Sequence, residues 1–384
     1  MLSKNISFIN FNNKKKNKYV KFFLKKILKD NDEVINSLRS SYKSSYNNKI
    51  FKIFKKKLDY RVIGMGGSSL GAQAIYDFLK KKINKNFFFI DNLIHNHKKN
   101  LRKNYNNLII SKSGNTIETI VNSNILIKKS HSNLFITENK QSYLKKLANK
   151  LRAEVVDHNN YIGGRYSVLS EVGMIPAELM GLNPKKFRQL NTLVKNKKFL
   201  NSLISNVSAT IFYLTKKKFN SIIVNYDESS VNLLNWYQQL VAESLGKNKK
   251  GLLPVISNMP KDNHSVMQLY LDGPENNFFT FFFVKEKNSI RVKNKDVLSE
   301  YSYIKNKNLN QIMHAQKRAT EIVFKKKNIP FRSFEINKRD EKTLGELFSF
   351  FILETILIGR FLKINPYDQP AVELIKKETK KILL

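Results

Sequence analysis

The segment RVIGMGGSSLGAQAIYDFLKKK (residues 61–82) decides the fold class. A short apolar run, RVIGMG, ends in glycines, and a longer stretch that begins SSLG follows it directly. Glycine permits a tight turn after a strand, and the stretch that follows the turn has the pattern of a helix. The segment therefore predicts a strand, a tight turn and a helix in succession.

The same alternation continues beyond this segment. Apolar runs that predict strands are 86–92, 107–114, 133–139 and 153–158. Stretches that predict helices between them are 116–129 and 141–151. Continuous apolar strands that alternate with helices indicate a parallel sheet covered on both faces.

The pattern restarts after about residue 190. The predicted helices of this half are 192–218, 229–247, 310–327, 343–363 and 371–384, and its predicted strands are 221–227, 277–286 and 330–336. The fold class is therefore α/β, with two doubly wound parallel-sheet domains that have helices on both faces. We predict an N-terminal helical extension at 1–57, a first domain at 58–190 and a second domain at 191–384.

The composition of the 384-residue chain excludes several kinds of site. There is no cysteine, which excludes a disulfide scaffold, a cysteine-ligated zinc or iron–sulfur site and a thiol nucleophile. The chain has 69 Lys+Arg against 30 Asp+Glu, a net charge of +39, so a nucleic-acid partner is a first hypothesis.

The distribution of the basic residues argues against that partner. Lysines number 58 and arginines 11, whereas base readout and bidentate phosphate contacts favour arginine. The lysines lie in short clusters along the whole chain, at 14–16, 55–57, 80–82, 216–218 and 325–327. Lys, Asn, Ile and Phe share A/T-rich codons, so biased base composition explains the excess, and we predict no specific nucleic acid.

No segment has the pattern of a membrane span. The most apolar stretches, 278–284 and 348–362, are too short or contain the charged residues Glu354 and Arg360. The N-terminus lacks an uninterrupted apolar region with a small-residue cleavage site. The expected location is the cytoplasm, with no membrane partner.

Two segments, GMGGSSLG (64–71) and SKSGNT (111–116), combine glycines and hydroxyls. Each ends an apolar strand and opens a helix, so backbone N–H groups and the helix dipole can face an anion there. Neither fits the dinucleotide fingerprint or the Walker A loop, and the glycines could also serve close packing. The hydroxyls of the second segment favour a small phosphate over an extended pyrophosphate.

Several longer strings carry a family resemblance. They are VIGMGGSSLG, SKSGNTIET, GGRYSVLSEVGMIPAEL, AESLGKNKKG, HSVMQLYLDGP and NPYDQPAVELIKK, between residues 62 and about 377. In this order they resemble the glucose-6-phosphate isomerase (phosphoglucose isomerase) family, in its compact bacterial form. The resemblance implies two sugar-isomerase (SIS) type domains and reversible isomerisation of glucose 6-phosphate to fructose 6-phosphate in glycolysis and gluconeogenesis, by ring opening and proton transfer through a cis-enediolate.

The resemblance also implies the roles of individual residues. Phosphate binding falls to Ser111, Lys112, Ser113 and Thr116, with backbone at Gly67 and Ser68. Proton transfer falls to Glu243, ring opening to His264 and Lys376, enediolate stabilisation to Arg165, and further substrate contacts to Gly164, Gln239 and Gln369. Lys377 is the alternative to its neighbour Lys376. The family implies no cofactor and no metal, and a homodimer in which His264 reaches the neighbouring subunit's site.

Some departures and alternatives stay open. The family's usual residues are replaced by Asn263, Tyr166, Ala371 and Ile375, none of which removes a reacting group. The remaining histidines, predicted to lie at the surface, are His95, His97, His131, His158 and His314. The alternative functions are a dual phosphoglucose/phosphomannose isomerase and a non-catalytic sugar-phosphate sensor that binds nucleic acid.

Overall fold

The computed structural model describes residues 2–12, 16–30, 32–46, 54–55, 57–95 and 105–384. Outside these ranges lie His97 and three members of the lysine clusters, Lys14, Lys15 and Lys56. The strands of the described ranges are β1 (Ile6–Ile9), β2 (Asp59–Ile63), β3 (Asn86–Ile90), β4 (Asn106–Ile110), β5 (Asn133–Glu138), β6 (Glu154–His158), β7 (Asn220–Asn225), β8 (Leu253–Asn258), β9 (Asn277–Val284) and β10 (Phe331–Ile336).

Helices connect the strands and cover the sheets. They are α1 (Lys18–Lys29), α2 (Glu33–Ser37), α3 (Leu70–Phe78), α4 (Ile117–Leu126), α5 (Tyr143–Leu151), α6 (Glu171–Leu179), α7 (Pro184–Phe187), α8 (Leu190–Leu193), α9 (Lys197–Thr215), α10 (Val231–Leu245), α11 (Met267–Asp272), α12 (Leu309–Lys326), α13 (Glu341–Phe361) and α14 (Val372–Leu383). Within the described ranges, no helix combines the length and the apolar character that crossing a bilayer requires.

The first sheet has the order β3-β2-β4-β5-β6, and all its strands are parallel. The chain adds β3 on one side of β2 and β4 on the other. At such a reversal the turns after the two central strands diverge and leave a crevice at the carboxyl edge of the sheet. The two glycine- and hydroxyl-rich segments are these turns, because they follow β2 and β4.

The second sheet has the order β1-β10-β9-β7-β8. Four of its strands are parallel, and β1 pairs antiparallel with β10, with Ile6 opposite Ile336. Two doubly wound, largely parallel sheets confirm the predicted fold class. The division at 58–190 and 191–384 stays a prediction.

Two strands escaped the sequence analysis. The N-terminal segment 1–57 was predicted to be a helical extension, but Ile6–Ile9 forms β1 in the second sheet. A four-residue run is too short to show an alternation, and its partner strand lies near the other end of the chain. The strand Leu253–Asn258 was also missed, because its Pro254 and Asn258 are poor strand formers.

The strands of the second sheet bury side chains on both faces. Phe278 and Phe282 of β9 belong to the large core, whereas Phe279, Phe281 and Phe283 belong to a second core with Phe324 of α12. Successive side chains of a strand point to opposite faces, so a continuous apolar run indicates helices on both sides.

Helix α13 is buried along most of its length, as its composition predicts. Its Glu354 forms an ion pair with the buried Arg332 of β10, and Nη2 of Arg332 also donates to the hydroxyl of Tyr237, 3.0 Å away. A buried carboxylate needs such partners. Arg360, at the end of the helix, is exposed.

Helix α10 joins the two halves. It packs against α3 of the first half and against α13 of the second. The carboxyl edge of the first sheet therefore faces a helix from the second half.

Candidate active site

A cleft with a volume of about 510 Å³ lies at the carboxyl edge of the first sheet. Eleven of the thirteen predicted site residues line it: Gly67, Ser68, Lys112, Ser113, Thr116, Gly164, Arg165, Gln239, Glu243, Gln369 and Lys376. Ser111 lies just behind its wall, and His264 lies outside the cleft. The structure thus brings most of these residues together, while their roles stay predictions.

The turn after β2 approaches a second turn closely. A side-chain carbon added to Gly67 would lie 2.2 Å from the carbonyl carbon of Gly164, so only glycine fits there. The preceding Gly66 has φ +51°, and a carbon added to it would lie 2.8 Å from Nε2 of Gln239. The two glycines therefore let the turn pack against both the Arg165 segment and helix α10.

The turn after β4 presents the hydroxyl cluster. The hydroxyls of Ser111 and Thr116 lie 2.9 Å apart, and Oγ of Ser113 accepts a hydrogen bond from the backbone N–H of Asn115 at 3.2 Å. Thr116 is the residue that caps the start of α4. A phosphate in the cleft would meet hydroxyls, backbone N–H groups and the positive end of a helix dipole.

Helix α10 supplies a carboxylate and an amide, one turn apart. Nε2 of Gln239 donates to Oε2 of Glu243 at 3.0 Å, and Oε1 of Glu243 lies 3.3 Å from Nη1 of Arg165. The Glu243 side chain is 25 % exposed, whereas Arg165 is buried. A carboxylate held in this way faces the cleft with both oxygens oriented.

Arg165 is fixed by a set of hydrogen bonds. Nε donates to Oγ of Ser244 at 2.8 Å, and Nη1 donates to Oε1 of Gln369 at 2.8 Å. Nη2 donates to the carbonyl oxygens of Pro366 (2.7 Å) and Asp368 (3.0 Å). Two segments distant from Arg165 in sequence therefore hold its guanidinium, which only the five-donor arginine side chain can satisfy.

Tyr166 supports the same arrangement. Its hydroxyl lies 2.8 Å from Oγ of Ser244 and donates to the carbonyl of Pro366 at 3.1 Å. Burial raises its pKa to about 12. The phenol therefore provides a neutral hydrogen-bonding group beside Arg165.

The C-terminal segment contributes Gln369 and Lys376. Lys376 lines the cleft and its Nζ lies 2.6 Å from Oε1 of Glu373, one turn earlier on α14. The alternative, Lys377, does not line the cleft. None of the residues of α14 is buried.

His264 ends a short 3₁₀ helix, Lys261–His264, in the second half, and its side chain is exposed. The structure therefore does not bring it to the other site residues within one chain.

Sequence reasoning missed an acidic member of the cleft. Glu138, the last residue of β5, is buried and has Oε1 3.4 Å from Nζ of Lys112, and it also pairs with Lys140. The position at the carboxyl end of a strand next to β4 was the signal that could have found it. Further lining residues that were not predicted are Met65, Gly66, Val372 and Glu373.

The prediction for His158 was wrong. This histidine ends β6, an edge strand, opposite Glu138, and it is 2 % exposed because it lies on the same buried face of the strand as Val156. Burial, together with the positive charge of Lys112, lowers its pKa from 6.5 to about 4. The imidazole is therefore neutral at pH 7.

The described ranges contain no group of three or more His, Asp and Glu placed to hold a metal ion. Burial and ion pairing account for the arrangement of the carboxylates in the cleft.

Comparisons with known proteins identify relatives of the chain. A family model described as phosphoglucose isomerase matches residues 13–384. The glucose-6-phosphate isomerase of Methanocaldococcus jannaschii is 34 % identical over 335 residues, which cover 82 % of each chain. The glucose-6-phosphate isomerase of Campylobacter jejuni is 32 % identical over 343 residues, which cover 84 % of each chain.

Solved structures share the fold. A hypothetical protein from Thermus thermophilus superimposes with a TM-score of 0.82 at 21 % identity, covering 95 % of this chain and 94 % of the other. A glucose-6-phosphate isomerase from Chlamydia trachomatis superimposes with a TM-score of 0.72 at 20 % identity, covering 91 % and 78 %. With the family model matched over nearly the whole length and relatives above 30 % identity, the chain belongs to the phosphoglucose isomerase family.

Proposed function

We propose that the cleft is the catalytic site at which this chain interconverts glucose 6-phosphate and fructose 6-phosphate. As a member of its family, the protein is an aldose–ketose isomerase. The proposal rests above all on one observation: the hydroxyl-rich turn 111–116, the Glu243 carboxylate and the Arg165 guanidinium meet in a single cleft.

The phosphate binds at the turn after β4. The hydroxyls of Ser113 and Thr116 and the start of α4 face the cleft, and Lys112 adds a positive charge that Glu138 partly compensates. The backbone of Gly67 and Ser68 closes the opposite wall. Fixing the phosphate positions the sugar carbons relative to Glu243.

Glu243 transfers the proton. Its carboxylate takes the hydrogen from carbon 2 as a proton, the electron pair of that C–H bond forms the C1=C2 bond, and the carbonyl oxygen becomes an enediolate oxygen. A proton then passes from the hydroxyl of carbon 2 to the oxygen of carbon 1. The electron pair left on the carbon 2 oxygen forms the C2=O bond, and the electron pair of the C1=C2 bond takes the proton back from the same carboxyl at carbon 1. Arg165, which is already oriented by its protein hydrogen bonds, stabilises the enediolate without reorganising.

Ring opening falls to Lys376 and His264. Lys376 lines the cleft, whereas His264 is exposed and outside it, so we propose a homodimer in which His264 enters the partner's cleft. The strongly exposed apolar side chains include Leu298 (70 %), Tyr303 (69 %), Ile375 (69 %) and Ile382 (83 %). Burial of these side chains against a second chain would contribute to the stability of the proposed homodimer.

A cytoplasmic location belongs to the same proposal. The substrates carry a phosphate group, and an ionised group crosses a bilayer only at a large free-energy cost. The enzyme must therefore lie on the side of the membrane where sugars are phosphorylated, and cell fractionation that recovered the activity outside the cytoplasm would contradict this.

The test of the catalytic assignment is Glu243→Gln. Purified protein should convert fructose 6-phosphate to glucose 6-phosphate in EDTA, and the variant should lose turnover by at least about 10²-fold while its circular dichroism stays unchanged. The matched control Glu228→Gln removes an exposed carboxylate just before the same helix and should keep full activity. Turnover near the wild-type rate in Glu243→Gln would overturn the assignment. Turnover of mannose 6-phosphate in the same assay would indicate a dual phosphoglucose/phosphomannose isomerase.

The test of the shared site is a mixing experiment. Glu243→Gln and His264→Ala are each expected to be inactive, but after subunit exchange a mixed dimer has one cleft with both residues intact. An equal mixture should then recover about a quarter of the wild-type activity, since about half of the dimers are mixed and each has one intact site of two. No recovery, despite exchange seen with labelled subunits, would place His264 in its own chain's site.

A further inference from the structure

We propose that a second cleft, at the carboxyl edge of the second sheet, binds an anion with two or more phosphate groups. This basic cleft has a volume of about 690 Å³, compared with about 510 Å³ for the catalytic cleft. It is formed by residues 285–288 after β9, by 337–339 after β10, and by Phe78, Leu79 and the lysines that follow α3. It therefore lies between the two halves of the chain.

The basic cleft borders a topological switch point. The chain adds β8 on one side of β7 and β9 on the other, so the order of the second sheet reverses between β7 and β9. Ligands of open α/β sheets bind beyond the carboxyl ends of strands at such a reversal. In the first sheet the equivalent position, between β2 and β4, is the predicted phosphate site.

The lining of the basic cleft is strongly cationic. It contains six basic side chains, Lys81, Lys82, Lys285, Lys287, Lys338 and Arg339, against one carboxylate, Glu286. Charges of one sign in a concave surface raise the local concentration of the opposite ion. The ligand that this lining favours is a small, multiply charged anion.

The single carboxylate is already compensated. Oε2 of Glu286 lies 2.6 Å from Nζ of Lys81, and its other oxygen pairs with Nε of Arg339. Lys82 and Lys338 pair with Glu341 (2.8 Å) and Asp340 (3.0 Å), acids that do not line the basic cleft. Ion pairs made by such exposed lysines contribute little free energy, so these lysines can exchange their carboxylate partners for a phosphate.

Arg339 forms the inner wall. Its guanidinium lies over the ring of the buried Phe78, 4.9 Å from the centroid, and is held by Glu286 and by Asp227 from the turn after β7. Among the described residues, Nη1 of Arg339 is buried and has no hydrogen-bond partner. The fixed guanidinium adds a permanent positive charge at this wall, which favours a phosphate over a neutral ligand.

The basic cleft is separate from the catalytic cleft. Helix α3 begins beside the turn of Gly67 and ends at Phe78, and its nine residues span about 14 Å. The two clefts share no lining residue. An anion can thus bind at one end of α3 while the sugar phosphate occupies the other.

The test uses inorganic pyrophosphate and the full-length protein, by isothermal titration calorimetry in EDTA with saturating fructose 6-phosphate present. We expect one binding event per chain, which the double variant Lys287→Ala/Lys338→Ala weakens by at least about tenfold, the effect of losing one charge-assisted hydrogen bond. Both lysines are exposed, so the fold should be kept, as circular dichroism would verify.

The matched control is Lys325→Ala/Lys326→Ala, which removes the same charge from exposed positions of α12 that line none of the clefts described here. It should leave pyrophosphate binding unchanged. Two results would overturn the proposal: no pyrophosphate binding in the presence of fructose 6-phosphate, or an equal loss of affinity in both double variants, which would assign the binding to the overall charge. The calorimetric measurement of pyrophosphate binding does not depend on isomerase activity. Failure of the proposed anion site and failure of the proposed isomerase function can therefore be told apart.

Discussion

Among single residues, His158 is the one whose environment departs furthest from what its sequence context suggests. It lies between Asp157 and two asparagines, yet its imidazole is buried beside the Lys112–Glu138 pair. Burial and the charge of Lys112 lower its pKa to about 4. The unfolded chain therefore takes up a proton near pH 6.5, while the folded chain resists protonation until the pH approaches 4.

Acid should therefore destabilise the folded chain through this residue. Stability that is present above pH 6.5 is lost as the pH falls towards 4, by up to about 3 kcal/mol from His158 alone. His158→Phe, which cannot be protonated, should remove this part of the pH dependence of the free energy of unfolding, measured by urea denaturation at several pH values. The exposed His95→Asn should leave the dependence as in the wild type. Identical pH profiles for wild type and His158→Phe would contradict the expectation.

The residues of the cleft differ in how far sequence could predict them. Glu243, Arg165 and Lys376 were predicted because they lie in long motifs that resemble those of a family. Ser244 and Pro366, the partners of Arg165, and Glu138, the partner of Lys112, were not predicted, because distant segments bring them to the cleft. Local spacing carries no information about such contacts.

Among the elements, the turn after β2 and the Arg165 segment depend on each other. Their backbones touch at Gly67 and Gly164, where a carbon added to Gly67 would lie 2.2 Å from a carbonyl carbon and 2.4 Å from the backbone nitrogen of Arg165. The parts of the cleft that we propose to bind phosphate and to stabilise the enediolate are therefore positioned by one backbone contact.

Gly67→Ala should separate the two turns. We expect a loss of about 1–3 kcal/mol in the free energy of unfolding from overpacking, and a fall in kcat/KM of about 10²-fold because Arg165 moves away from the substrate. Urea denaturation and the isomerase assay measure the two effects. Gly163→Ala is the matched control, since it has φ −66° and no atom within 3.8 Å of the added carbon apart from its chain neighbours. If both variants had the same free energy of unfolding and the same kcat/KM, the contact between Gly67 and Gly164 would not position the cleft.

Most elements were predictable because their apolar runs are long. Helix α13 and strand β9 illustrate this, since each is apolar over most of its length. The elements that escaped, β1 and β8, are short or contain poor strand formers, and pairing with the rest of the sheet stabilises them. Strands β1 and β8 therefore form because of tertiary contacts, which a local stretch of sequence does not contain.

For the whole molecule, the net charge of +39 is mostly carried by exposed lysines. A buried exception is Lys317, which pairs with Glu321 at 2.9 Å and Glu335 at 2.6 Å. The surface excess requires no nucleic acid, but it creates a positive potential around the protein. A sugar phosphate that approaches the cleft moves through this potential.

Salt should therefore slow the capture of substrate. Between about 10 and 150 mM salt the screening length falls from about 30 Å to about 8 Å, and kcat/KM should fall a few-fold with little change in kcat. Steady-state kinetics with sodium chloride and sodium acetate at equal ionic strength would show equal effects. A kcat/KM that is independent of ionic strength would rule out steering by the surface lysines.

The antiparallel strand β1 has a consequence for synthesis in the cell. Ile6 leaves the ribosome long before its partner Ile336, because the two paired residues are far apart in the sequence. At about 5–20 residues per second, β1 waits on the order of tens of seconds for its place in the sheet. During translation, the unpaired edge of β1 is available to other unpaired strands until β10 is made, so we expect the nascent chain to need chaperones most in that interval.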